Sequence, residues 1–442
     1  MATTLSPGTY PENKDDSHRE LKRAATASFI GNFVEWFDYA SYGYLATVIA
    51  VVFFPQTDKT SGLLAAFAVF ALSFLVRPLG GIFWGHIGDR YGRKNALSVS
   101  IIIMSCATFC IALVPSYQSI GLAAPIILLI ARLIQGFSAS GEYAGAATFL
   151  AEYAPDNKRG LYAAIVPAST AAGLLFGALF VSMLYTLLSA EQLSDWGWRI
   201  PFLLAAPFGL IGRYIRVHLE DSPKFRQMEE ESANRQKESQ VPLKRLLSHH
   251  PKEILIAFGV TSLNAVGFYT LLSYMPTYLS AELGLAETTS FLMSTLTLSV
   301  YIGLVFYMGV LSDSLGRKRT LTYASIGFIV LTVPLFYLIG SQSLLLIVIA
   351  QILLVSMLAM NDGTLACFLT EIFPTPMRYS GFAFTFNCAN ALFGGTAPLI
   401  ATWLINVTGS QVAPAYYLVL AAIVALIAMS FSKETCGKPL CD

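Results

Sequence analysis

Along most of this chain, apolar stretches about as long as a bilayer is thick follow one another, with polar breaks between them. Twelve can be marked off: 24–53, 62–88, 95–114, 122–152, 161–189, 199–217, 253–281, 289–311, 319–339, 343–370, 380–407 and 413–432. A helix needs about 20 residues to cross the hydrocarbon core. Each stretch therefore predicts one membrane span, numbered 1 to 12 in chain order. The connections are short except for 218–252, which is rich in Glu, Lys, Arg and Ser. The predicted organisation is a tail (1–23), a six-helix bundle (24–217), a linker (218–252), a second six-helix bundle (253–432) and a tail (433–442). Polar positions inside the spans keep helical spacing. Asn32, Glu35, Tyr39 and Tyr42 make one stripe on span 1, and Arg132, Gln135, Ala139 and Glu142 repeat that spacing on span 4. Lipid offers no hydrogen bonds, so both stripes should face the bundle interior.

The two halves repeat each other. Gly85-His86-Ile87-Gly88-Asp89-Arg90-Tyr91-Gly92-Arg93-Lys94 returns as Gly309-Val310-Leu311-Ser312-Asp313-Ser314-Leu315-Gly316-Arg317-Lys318, and both read G-x-x-x-D-x-x-G-R-K. A second pair follows: Glu152, Pro155, Arg159 and Gly160 after span 4, and Glu371, Pro374, Arg378 and Gly381 after span 10. The interval from Asp89 to Glu152 is 63 residues, and that from Asp313 to Glu371 is 58. Repeated halves with a site between them are the design of secondary transporters. The expected fold class is an all-α integral membrane protein of two pseudo-symmetric six-helix bundles.

Composition agrees. Hydrophobic residues make up 55% of the chain, charged residues 12%, and mean hydropathy is +0.60, against about a quarter charged in soluble proteins. No basic tract suits nucleic acid. The polar N-terminal 23 residues lack an apolar core and a cleavage site, so no cleaved signal peptide is expected. With both termini placed inside, all but Lys59, Arg77, Arg132 and Arg199 of the 28 Lys and Arg lie on cytoplasmic tails, loops and span ends. That asymmetry predicts cytoplasmic termini and cytoplasmic repeated loops. Cys106, Cys110, Cys367 and Cys388 lie in apolar segments and read as packing residues. Cys436 and Cys441 have no third ligand nearby and no His falls mid-span, so neither a metal nor a haem is expected.

A charge in mid-bilayer costs at least ~2.5 kcal/mol and so marks a partner or a cavity. The first half holds five: Glu35, Asp38, Arg77, Arg132 and Glu142. Glu35 and Arg77 each lie 11 residues from the inner ends of their spans, and Glu142 lies 10 from its own. At about 1.5 Å per residue these three share a level, with Asp38 slightly farther out and Arg132 farther out still, nearer the midplane. Three carboxylates face two guanidiniums, leaving one in surplus. Arg does not release its proton, so the expected proton carrier is Glu35, Asp38 or Glu142. An incompletely paired, partly desolvated carboxylate can exchange protons near neutral pH. The second half has one clear intramembrane charge, Asp362, and offers Asn264, Tyr269, Tyr274, Asn361, Asn387 and Asn390 instead. The first half is thus expected to couple charge and the second to complete a cavity wall. Asp89 and Asp313 lie at the inner ends of spans 2 and 8. There a carboxylate can cap a neighbouring helix or pair with the following arginines. Asp89, Arg90, Arg93, Asp313 and Arg317 are the expected cytoplasmic gate.

The repeated loops resemble the signature of the major facilitator superfamily. Further strings are similar to its metabolite:proton symporter branch: Gly31-Asn32-Phe33-Val34-Glu35-Trp36-Phe37-Asp38-Tyr39, Arg77-Pro78-Leu79-Gly80-Gly81, Gln135-Gly136-Phe137-Ser138 with Gly141-Glu142-Tyr143, and Trp196-Gly197-Trp198-Arg199-Ile200-Pro201-Phe202. The resemblance spans about residues 20–435 and implies a monomeric two-bundle fold with substrate:proton symport. Members carry zwitterionic osmolytes, citrate, 2-oxoglutarate, shikimate and related acids. Pro115-Ser116-Tyr117, Glu142-Tyr143, Tyr274-Met275-Pro276-Thr277-Tyr278-Leu279 and Pro414-Ala415-Tyr416-Tyr417-Leu418 resemble the proline/betaine osmosensing subgroup. Some of that subgroup carry a long C-terminal heptad tail. This chain stops about ten residues after span 12, which puts tail-dependent osmotic tuning in doubt. The Gly-Pro motif of drug exporters is not evident in span 5, which favours uptake.

A betaine wants an arginine for its carboxylate and aromatic faces for its quaternary ammonium. Arg77 and Arg132 with Gln135 offer the first, and Trp36, Tyr39 and Tyr42 the second. Tyr269, Asn387 and Asn390 are the expected lining from the second bundle. A di- or tricarboxylate would want more cations than two engaged arginines, so an organic acid is the alternative substrate class. No nucleophile–base pair or metal set lies in the spans, against an enzyme, and the paired buried charges argue against a passive channel. The expected setting is the plasma (inner) membrane, with a proton as coupling ion and no other cofactor.

Overall fold

The computed structural model describes residues 14–55, 59–217, 221–222, 225–227, 242–341 and 343–440. Outside them lie most of the predicted N-terminal tail, most of the linker and the last two residues, Cys441 included. Among the described residues there is no strand. Ten helices among the described residues are long and apolar enough to cross a membrane, eleven with the bent pair at the start taken as one span. Arg199–Val217 fills the twelfth place, with Gly209 against Ser105 and Gly212 against Ile101 of span 3.

Span 1, Lys14–Tyr44, starts ten residues before the apolar pattern and bends by 70° into Ala46–Phe53. Glu, Leu, Lys and Arg at its start are strong helix formers, so the helix continues past the apolar stretch. Several spans are broken where the candidate residues lie. Span 2 is Lys59–Leu75 and then Arg77–Tyr91, with Pro78 in the first turn of the second piece. Proline has no amide hydrogen for the preceding turn. Span 4 is Ala123–Ala139 and then Glu142–Tyr153, parted at Ser140-Gly141. Span 7, from Pro251, widens into π-helical turns at Tyr269–Tyr274 and Tyr278–Glu282, on either side of Pro276. Span 11 begins at Arg378 and widens at Asn390–Gly394 before Ala397–Thr408. Such turns often sit at functional positions. Spans 3, 5 and 8 to 10 are Arg93–Leu113, Ile165–Leu187 after a short turn Arg159–Ala163, Glu287–Leu315, Arg317–Gly340 and Leu344–Ile372. Span 12 is Ala413–Phe431.

The bundles meet along two seams. On span 2, a Cβ at Gly81 would lie 2.9 Å from the Ala383 carbonyl oxygen, and one at Gly85 would lie 2.6 Å from Ser380 Cα of span 11. On span 8, a Cβ at Gly309 would lie 2.7 Å from the Gly160 oxygen at the head of span 5. Side-chain-free positions let these backbones touch. The two seams are related by the repeat, since Gly85 and Gly309 open the two copies of the loop motif.

Candidate functional site

The five intramembrane charges of the first half are buried, and four of them form two pairs. Arg77 Nη2 donates to Glu35 Oε1 at 3.0 Å, and Arg132 Nη1 donates to Asp38 Oδ2 at 2.9 Å. The levels read from residue counting agree with the Glu35–Arg77 pair, whereas counting put Arg132 farther out than Asp38, its partner here. Gln135 Nε2 also donates to Asp38 Oδ2, at 3.1 Å. Glu142 opens the second piece of span 4 and accepts a 3.4 Å hydrogen bond from Ser100. A carboxylate suits a helix N-terminus, and Glu142 lies within electrostatic reach of Glu35. Arg132 has spare donors: its Nε and Nη2 are buried with no hydrogen-bonding partner.

Aromatic rings close around the arginines. Arg132 lies 3.7 Å above the Tyr42 ring, whose hydroxyl donates to the Ala66 carbonyl. That face of Tyr42 is therefore already covered by a cation. Arg77 sits 4.8 Å from the Tyr39 ring centre and 4.5 Å from that of Phe74. From there a seam crosses between the bundles. Phe74 meets Tyr269 edge-on at 5.7 Å, and Trp36 meets Phe268 at 5.2 Å. The Trp36 Nε1 and the Tyr269 hydroxyl are buried without partners. Phe74 and Phe268 were missed in the sequence, because a Phe in an apolar span carries no signal beyond packing. Asn32, on the predicted stripe, turns elsewhere: its amide donates to Val166, Ser169 and Thr170 and ties span 1 to span 5. Asn387 donates to the Ser140 carbonyl at 2.8 Å and bridges the bundles at the break in span 4. The Asn390 amide is held by the Phe386 carbonyl of its own helix.

The repeated loops form a two-fold latch at the end of the bundles that carries them. Asp89 accepts the backbone N–H groups of Tyr379 at 3.1 Å and Ser380 at 2.8 Å, capping span 11 of the other bundle. Asp313 accepts those of Gly160 at 2.8 Å and Leu161 at 3.0 Å, capping the start of span 5. Arg93 reaches Asp89 and Glu152, each at 3.3 Å, and Arg378 crosses over to Glu152 at 2.7 Å. In the second copy Arg317 binds Asp313 at 2.8 Å and Glu371 at 3.3 Å, and Arg159 crosses to Glu371 at 3.4 Å. Glu152, Arg159, Glu371 and Arg378 thus complete the network of ion pairs across the interface. The signal for them was the second repeated pair. Arg90, an expected gate residue, does not join: it is exposed and lies over the Tyr91 ring. One position from Asp89 on a helix turns a side chain about 100° away from it.

Two segments just after the bundles brace the latch. Ser222 hydrogen-bonds Glu152, and Asp221 accepts the Lys94 N–H at the head of span 3. Burial pushes the Asp221 carboxyl above its usual range, against the pull of the Ser222 N–H and Arg93. In the second half Thr435 donates to Glu371 at 2.6 Å, and Glu434 accepts the Arg317 N–H at 2.8 Å. Thus an acidic residue and a hydroxyl neighbour do the same work in both halves.

Two helical bundles around a buried ion cluster, latched across their interface at one end, define a membrane transporter, not an enzyme. The family model described as Major Facilitator Superfamily matches residues 28–387 and 257–435, and the chain belongs to that superfamily. The glycine betaine/proline/ectoine/pipecolic acid transporter OusA of Dickeya dadantii (strain 3937) is 42% identical over 428 residues, 95% of this chain and 85% of that relative. The proline/betaine transporter of Escherichia coli (strain K12) is 40% identical over 429 residues, with the same coverage. A putative proline/betaine transporter of Staphylococcus aureus (strain COL) is 37% identical over 424 residues, 96% of this chain and 90% of that one. Among solved structures, the proton:xylose symporter XylE bound to 6-bromo-6-deoxy-D-glucose superposes with a TM-score of 0.77 at 17% identity, over 96% of this chain and 98% of the other. That likeness speaks for the fold alone.

Proposed function

We propose that this protein takes up a small zwitterionic osmolyte, such as glycine betaine or proline, together with a proton, by alternating access across the plasma (inner) membrane. The observation that carries this reading is Arg132. One of its nitrogens is held by Asp38, while Nε and Nη2 stay buried without partners, close to an aromatic seam that begins at Tyr39, 5.9 Å from its guanidinium. A substrate carboxylate takes the spare guanidinium donors. Its ammonium lies against Trp36, Tyr39, Phe74, Phe268 and Tyr269. Coupling follows from the pairs. A proton on Glu35, Asp38 or Glu142 cancels one negative charge near the arginines and leaves them to bind the substrate carboxylate. Arg77 and Arg132 keep their charge throughout. Opening of the latch then exposes the site to the cytoplasm.

Both termini and both repeated loops are cytoplasmic in this reading. The protein works as a monomer in the bilayer, without nucleic acid and with the proton as coupling ion. The curated relatives' names support the substrate class. The organic-acid alternative is not favoured, since each arginine already faces a carboxylate. The test is uptake of labelled glycine betaine into proteoliposomes with and without an imposed inward proton gradient. Accumulation that follows the gradient and is blocked by excess proline is expected. No uptake by folded protein, even under osmotic upshift, would overturn the reading.

A further inference from the structure

Asp362 is the one intramembrane charge of the second bundle that the reading above does not use. It is 2% exposed and lies ten residues from the end of span 10 at Ile372. Tyr143 lies ten residues from the end of span 4 at Tyr153. At about 1.5 Å per residue both sit some 15 Å above the latch. The Tyr143 hydroxyl donates to Asp362 Oδ1 at 3.2 Å across the bundle interface. The Tyr301 hydroxyl of span 8 donates to Oδ2. Asn264 of span 7 faces the same carboxyl. No Lys, Arg or His among the described residues pairs with it. The titratable groups facing it are therefore Tyr143 and Tyr301, both neutral phenols. Tyr143 is fixed in place: its ring stacks on Phe386 at 4.3 Å, nearly parallel. It also adjoins Glu142 in the chain.

A buried carboxylate with no cation is costly unless hydrogen bonds or a proton offset its charge. Here one of the two donors belongs to the opposite bundle. When the bundles part on the latch side, Tyr143 leaves with the first bundle and the carboxyl loses that donor. The charge state of Asp362 and the closure of the interface are thereby linked.

We propose that Asp362, with Tyr143 and Tyr301, is a second proton-binding site, on the second bundle, whose occupancy is set by whether the two bundles are closed on each other. The proton passes between water and a carboxylate oxygen, and no other bond changes. The proposal rests on the symport reading for its role in transport, but not for its chemistry.

The two are separated by paired measurements on the full chain. Infrared difference spectra between acid and alkaline pH, in detergent and without substrate, read the protonated carboxyl directly. The wild type should show a titrating carboxylic-acid band that is lost in Asp362→Asn and whose midpoint is shifted in Tyr143→Phe. In proteoliposomes Asp362→Asn should keep glycine betaine exchange while gradient-driven accumulation falls at least tenfold. A wild-type accumulation that follows the gradient and is matched by Asp362→Asn overturns the second site and leaves the symport reading standing. A band that depends on Asp362 in a protein indifferent to the gradient upholds the site and overturns symport. Should Asp362→Asn not fold, Tyr143→Phe removes only a hydroxyl, and an unshifted midpoint there overturns the proposal.

Discussion

Asp89→Asn is the sharpest probe of the latch, because it keeps the side chain's size and removes its charge. The carboxylate accepts two backbone N–H groups at the head of span 11, at 3.1 and 2.8 Å, and an Arg93 contact at 3.3 Å. Hydrogen bonds to a charged group contribute about 1.5–3 kcal/mol, whereas neutral ones contribute about 1. A charge at a helix N-terminus adds about 0.3–1 kcal/mol. An amide oxygen keeps part of this, so the closed state should lose about 1.5–3 kcal/mol relative to the open one. At 1.4 kcal/mol per factor of ten, that is a roughly 10- to 150-fold shift. Ser140 supplies the reporter: it is buried at the interface, and its carbonyl holds Asn387. Ser140→Cys in a chain whose six native cysteines are replaced should react slowly with a polar thiol reagent added on the side of the repeated loops. Asp89→Asn should speed that reaction about tenfold or more. Asp313→Asn should do the same, since its two backbone bonds are of equal length class, and the two effects should multiply. An unchanged rate in folded protein would refute the latch and leave the repeated loops as charge determinants of orientation.

Three further outcomes follow from the same contacts. Glu35→Gln strands the buried Arg77 guanidinium; a loss of about 3–5 kcal/mol is expected, seen as a lower melting temperature in detergent and largely recovered by adding Arg77→Met. A single variant as stable as wild type would show that the pair is not what holds spans 1 and 2. Trp36→Ala or Phe268→Ala should raise the KM for glycine betaine by roughly 2- to 30-fold, the equivalent of about 0.5–2 kcal/mol of cation–π attraction, with a smaller change for proline. Equal effects on both solutes would place the ammonium elsewhere. Gly88→Ala would drive a Cβ into the Tyr379 ring, so uptake should fall while Ser140→Cys labelling rises; normal uptake would mean that this seam does not close in the cycle.

The apolar periodicity located the spans, because a bilayer demands an uninterrupted helix of fixed length. It could not locate the break at Ser140-Gly141 or the widening at Asn390–Gly394, since the apolar count is the same for a broken helix as for an intact one, while the break at Val76 is marked by Pro78. Counting residues from the span ends was enough to bring Glu35 to Arg77, because rise per residue is constant, but it left Arg132 farther out than Asp38 and so did not show their pair. Phase turned Asn32 inward as expected, but it could not say which neighbour it meets, and Ser169 and Thr170 of span 5 take its amide. The interface contacts of the repeated loops were half legible. Asp89 and Asp313 announce themselves by repetition, but their partners are backbone N–H groups that no side chain marks. Arg90 was drawn in by its place in the motif and turned out by helical phase.

The latch is duplicated and the charge cluster is not, and the two facts have one physical explanation. Rocking of two bundles about a central site must release both seams at the loop end together. If only the Asp89 seam were latched, the Asp313 seam would open on its own and the bundles would twist instead of part. Matched contacts at both seams make the closed state yield as a unit, so a pseudo-two-fold arrangement of Asp, Arg and Glu is useful in both copies. The substrate imposes no such symmetry. A zwitterion has one carboxylate and one ammonium, and a second Arg132–Asp38 pair facing it would add a buried ion pair with nothing to bind. Charge therefore concentrates in the first bundle, and the second contributes rings and amides. Asp362 is the exception that remains, and it faces neither arginine: it meets the first bundle through Tyr143, where bundle position, not substrate charge, is the variable being read.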